Sequence, residues 1–64
     1  MKISDIHESL VNGQRRQMVE QIQEYGPADF FAKYDQYLRD HFVARSALDY
    51  YTDATISYFR ILER

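Results

Sequence analysis

From end to end, apolar residues recur at the three-and-four spacing of a helix, and no stretch alternates with the period of a strand. Gly13, Gly26 and Pro27 are the only glycines and proline. So few turn formers favour helices, because strands in so short a chain would need several tight turns. The punctuation divides the pattern into a short first helix, a second from about Gln14 to Tyr25, a third from Pro27 to about Phe42, and a last from about Ala47 to Leu62. The sequence therefore predicts an all-α fold: one helical domain over residues 1–64, a small bundle of three main helices plus a short N-terminal helix.

In the first segment, Ser4 is the expected N-cap, Asp5 and Glu8 suit the positive end of the helix dipole, and Ile3, Ile6 and Leu10 share one side. Asn12-Gly13 ends it, since both residues tolerate the left-handed conformation of a C-cap. The second helix carries a narrow apolar stripe, Met18, Val19, Ile22 and Tyr25, opposite Gln17, Glu20, Gln21, Gln23 and Glu24. In the third, Phe30, Phe31, Tyr34, Tyr37, Leu38 and Phe42 fill an arc of roughly 140°. Asp29, Lys33, Asp35, Gln36, Arg39 and Asp40 lie outside that arc.

The last helix is different. With Ser46 as expected N-cap and Asp49 in the first turn, Leu48, Tyr51, Thr55, Tyr58 and Leu62 form a heptad-like seam. Ala47, Tyr50, Ala54 and Ile61 widen the seam on one side, Ile56 and Phe59 on the other. The apolar arc reaches about half the circumference, against the roughly 100° of a one-sided surface helix. Contact on one face cannot bury it. Tyr50, Ala54, Tyr58, Phe59, Ile61 and Leu62 are therefore the candidate interface residues, and a homodimer through this helix is expected. The competing account covers the second side within one chain, using Ile3, Ile6 and Leu10 of the first helix. Asp53 falls on the expected wet face.

Composition sharpens this picture. Six Tyr and four Phe among 64 residues supply large amphipathic rings, which suit a small core or an interface. There is no Cys, so neither a disulfide nor a thiolate metal site supports the fold. Small domains without either depend on well-packed helices or on oligomerisation. A formal charge of −2 offers no broad attraction to phosphate backbones or anionic lipid. No apolar run approaches the ~20 residues of a membrane span, and Asp5 and Glu8 interrupt any signal-peptide core. The expected location is the cytoplasm.

Candidate chemistry is sparse. Ser4, Ser9, Ser46 and Ser57 are expected at cap-like or exposed positions, without a strained nucleophile turn. Two isolated glycines do not make a phosphate cradle. His7 and His41 lie on different helices, away from the i, i+3 or i, i+4 spacing of a metal pair. His41 falls in the apolar arc of the third helix and is expected at the core edge, hydrogen-bonded to a Tyr or a carbonyl. The reading is thus a non-enzyme with no catalytic, cofactor-binding or metal-ligating residues. A helix-turn-helix comparison fails on charge, because Asp29, Asp35 and Asp40 outnumber Lys33 and Arg39 on the would-be recognition face.

The sequence points to a small acidic protein-binding module: an adaptor, inhibitor or regulator that docks on another protein. In size and style it is similar to many small phage and plasmid products that modulate host machinery. One alternative is a dimeric nucleic-acid-binding transcriptional regulator using Arg15 and Arg16, the only adjacent basic pair. A second is a structural oligomerisation piece of a larger assembly.

Overall fold

A computed structural model describes residues 2–63. Four helices follow in order: α1 Ile3–Val11, α2 Arg15–Tyr25, α3 Pro27–His41 and α4 Ala44–Leu62. They pack into a body of 32 × 20 × 20 Å. α1 lies against α2 and α3, and α4 packs against the same two helices.

Each junction has a local cause. At the end of α1, the Gln14 N–H reaches the Ser9 carbonyl at 2.9 Å and the Gly13 N–H reaches the Leu10 carbonyl at 3.1 Å. These two bonds, with Gly13 at φ 79°, close the helix as a Schellman motif. Between α2 and α3 there is one residue. Gly26 caps both helices: its N–H bonds to the Ile22 carbonyl and its carbonyl accepts from the Phe30 N–H. Its φ of 111° is open only to glycine at low cost. Pro27 then starts α3 where a missing N–H costs nothing.

Two expected starts are corrected. α1 begins at Ile3, one residue before the expected Ser4 cap, because the Asp5 carboxylate accepts the Lys2 backbone N–H at 3.2 Å. α4 begins at Ala44 rather than Ala47, so Ser46 is inside the helix and Asp49 is beyond its first turn. The cause is the extended pair Phe42-Val43, which reverses the chain in two residues. The Val43 carbonyl then receives the Ala47 N–H at 2.9 Å.

The core comprises Ile6 and Leu10 from α1, Met18, Val19 and Ile22 from α2, and Phe30, Tyr34 and Leu38 from α3, with Ala47, Ala54 and Tyr58 from α4. Fully burying a large side chain is worth about 1.5–3 kcal/mol, so α2 and α3 carry much of the stabilisation. Two of the three buried apolar positions on α4 are alanines, seven residues apart, and let its backbone approach its neighbours closely. The inward stripe of α4 thus runs through Ala47, Ala54 and Tyr58, with Tyr50, Tyr51 and Ile61 at its edges. The expected seam is split: Tyr58 is buried and Tyr51 packs at the core edge, while Leu48 and Leu62 are exposed and Thr55 is half-buried.

Candidate functional site

The chain buries two sides of α4 by itself, α3 covering one and α2 the other. The second cover is therefore α2, not the apolar stripe of α1 considered above. α1 contributes through His7, whose ring packs edge-on against Tyr50 at 4.9 Å between centroids. Of the six candidate interface residues, Ala54 and Tyr58 are buried in the core, and Tyr50 and Ile61 are half-buried against it. Those four pack within the chain, at core and core-edge positions. Phe59 and Leu62 alone of the six stand outside.

Two neighbours join them. Leu48, Ile56, Phe59 and Leu62 are 65%, 53%, 55% and 44% exposed, the first, third and fourth falling within about 60° of one another around the helix. Both lay in the apolar arc of the sequence: Leu48 in the seam and Ile56 on its wing. What the pattern lacked was the rotation of the helix, which the small side chains of Ala47 and Ala54 decide. The outer stripe spans about 21 Å along α4 at 1.5 Å per residue.

Beside its N-terminal half, a groove of about 550 Å³ opens between α3 and α4, lined by Phe31, Ala32, Ala44, Ala47, Leu48 and Tyr51 among others. Its rim carries an exposed ion pair, Arg39 Nε lying 3.2 Å from both oxygens of Asp35. The rest of the named lining is apolar but for the Tyr51 hydroxyl.

Arg15, one half of the basic pair, is held by α4. Its guanidinium donates to the Asp53 carboxylate at 2.7 Å and to Ser57 Oγ at 2.8 Å. Asp53 is thus a tie between α2 and α4 rather than a residue of the free wet face. Arg16 is exposed. Ser9 and Ser57, expected at exposed or capping positions, are buried. The Ser9 hydroxyl donates to Gln21 Oε1 at 2.7 Å, which draws Gln21 out of the wet row of α2. Neither serine has a histidine among its hydrogen-bond partners, so no nucleophile–base pair is assembled.

The buried place expected of His41 is taken by His7. His41 is exposed, with its ring 4.5 Å from that of Tyr37. His7 is the buried one: its Nδ1 is 2.8 Å from the Tyr34 hydroxyl, and Tyr37, Phe42 and Tyr50 surround the ring. Burial, then the nearby His41, holds the His7 pKa below the ordinary value. Burial pushes the Tyr34 phenol well up. Its position on the polar flank of a nine-residue helix hid His7 from periodicity, although His7 is four residues from Ile3 and three from Leu10.

Among the described residues no group of three or more His, Asp or Glu side chains is gathered as a metal site, and no helix is long and apolar enough to cross a membrane. No protein family, curated protein or solved structure matches this chain.

Proposed function

We propose that this protein is a small cytoplasmic, non-enzymatic protein-binding module, an adaptor, inhibitor or regulator, whose contact surface is the outer face of α4. The observation that carries the reading is the stripe Leu48, Phe59 and Leu62, with Ile56 beside it, left exposed after α2 and α3 have packed against the helix. Exposed apolar side chains that cluster, rather than scatter, mark interaction surfaces. The partner that fits is a helical face with its own apolar anchors, because a straight ridge and an adjoining groove accept a helix better than an irregular loop. Burial of a few such side chains, at about 1.5–3 kcal/mol each, offsets the cost of association.

The nucleic-acid alternative rests on Arg15 and Arg16. It loses support because Asp53 already neutralises Arg15, which leaves a smaller basic footprint still.

The test places a photo-crosslinking phenylalanine analogue at position 59 and, separately, at exposed Lys33 on α3, in the cell that makes the protein. Protein adducts formed through position 59 and not through position 33 are expected. Equal adducts at both positions, or none, overturn the docking surface. Adducts to nucleic acid favour the alternative.

A further inference from the structure

Resting on that reading, we propose that the partner for the outer face of α4 is a second copy of this chain, its α4 running antiparallel. Two features of the helix are each lopsided, and antiparallel pairing matches both.

The first is shape. The large outer residues Ile56, Phe59 and Leu62 sit in the C-terminal half of α4, whereas the groove beside Ala44, Ala47, Leu48 and Tyr51 lies at its N-terminal half. A parallel partner sets projection on projection and groove on groove. An antiparallel partner with Thr55 at the two-fold axis lays Phe59 and Leu62 of the second copy over Tyr51 and Leu48, at the mouth of the groove. The symmetry repeats the fit, as an isologous interface requires. Thr52 and Thr55, small and central, allow the two helices to approach.

The second is charge. On the flank away from the groove, Arg45, Asp49, Arg60 and Glu63 follow one another as plus, minus, plus, minus. They form no ion pair among the described residues, and all four are exposed. In antiparallel packing a flank faces the same flank of its partner, so Arg45 comes opposite Glu63 and Asp49 opposite Arg60 of the second copy. A parallel partner turns this flank toward the groove side of the other α4, which carries no charged residue to pair with it. Asp53, the remaining charge of α4, is already held by Arg15.

The chain has no Cys, so single cysteines report the geometry at exposed or half-exposed sites without disturbing the core. Light scattering at several hundred micromolar is expected to give about twice the 7.7 kDa chain mass. Under mild oxidation, Thr55→Cys is expected to cross-link to itself. Leu48→Cys is expected to remain free alone but to join Leu62→Cys when the two proteins are mixed. Arg60→Asp is expected to weaken the dimer about tenfold, and adding Asp49→Arg to restore it, with helicity checked by circular dichroism in each variant. Self-cross-linking of Leu48→Cys, or a charge exchange that fails to restore, overturns the antiparallel arrangement. A monomer that still gives heavier adducts through position 59 overturns the second copy as partner and leaves the docking surface standing. Loss of the position-59 dependence overturns both.

Discussion

The Nδ1 of His7 on α1 lies 2.8 Å from the hydroxyl of Tyr34 on α3, and both side chains are buried. This bond joins the shortest helix to the centre of the bundle. It also fixes protonation. Tyr34 keeps its proton, because burial raises its pKa, so the hydroxyl can donate to an unprotonated Nδ1. Protonating His7 turns that acceptor into a donor and places a cation in a dry pocket. The groups facing it are Tyr34, Tyr37 and His41 of α3 and Tyr50 of α4; no carboxylate is among them to compensate.

Stability should therefore depend on pH in a definite direction. The folded-state pKa of His7 is lowered from 6.5, so the unfolded chain binds the proton more readily. The stabilisation is complete above pH 6.5 and is lost as pH falls from there through the lower folded value. Thermal melts between pH 7.5 and 5.5 are expected to show a falling midpoint. His7→Gln, which retains an acceptor without titrating there, should flatten the slope. An unchanged slope in that variant would assign the effect to another group.

The tie between α2 and α4 gives a second expectation. Arg15 and Asp53 side chains are 47% and 45% exposed, so solvent screens their pair and its worth is at the surface scale of about 1 kcal/mol or less. Asp53→Lys sets two cations together and leaves Ser57 beside them, so a loss of about 1 kcal/mol is expected in urea unfolding. Exchanging both charges, Arg15→Asp with Asp53→Arg, should recover part of it. Equal stability of Asp53→Lys and the parent chain would show that the pair contributes nothing.

Gly26 joins two helices by itself at φ 111° and ψ 104°. No neighbouring atom would meet an added Cβ, so the cost of Gly26→Ala is conformational rather than steric crowding with other residues. Strained backbone of this kind costs of order 1–3 kcal/mol, and the folded midpoint should drop accordingly, by roughly 4–8 °C per kcal/mol in a domain of this size. An unaffected midpoint would mean that the junction relaxes to an ordinary conformation.

The helices and their order were legible because Gly13, Gly26 and Pro27 punctuate clean amphipathic runs. The start of α4 was not, since Ser46 is a good capping residue by type while the turn is set by Phe42 packing against His7 and Tyr50, a contact distant in sequence. His7 was hidden for the same reason: the partner that makes it a core residue is 27 positions away. In the candidate site, periodicity found that α4 is apolar on too much of its circumference but not which part faces inward. Leu48 and Ala47 are adjacent, and only the packing against α2 and α3 selects alanine for the inside.

That rotation of α4 carries the sharpest expectation. Ala54 has no exposed surface and belongs to the buried core, so Ala54→Leu adds three carbons to a filled space. Overpacking of this kind costs typically 1–3 kcal/mol. Phe59 points away from the core, and exchanging an exposed residue usually changes stability by no more than about 0.5 kcal/mol. Phe59→Glu is therefore expected to leave the unfolding midpoint of the isolated chain, measured at low micromolar concentration, close to the parent value. Had the seam through Leu48, Thr55 and Leu62 faced inward, the order would reverse: the glutamate would be buried and Ala54→Leu would lie on the surface. Urea denaturation of these two variants thus separates the two rotations, and a larger loss from Phe59→Glu than from Ala54→Leu would place the outer stripe inside.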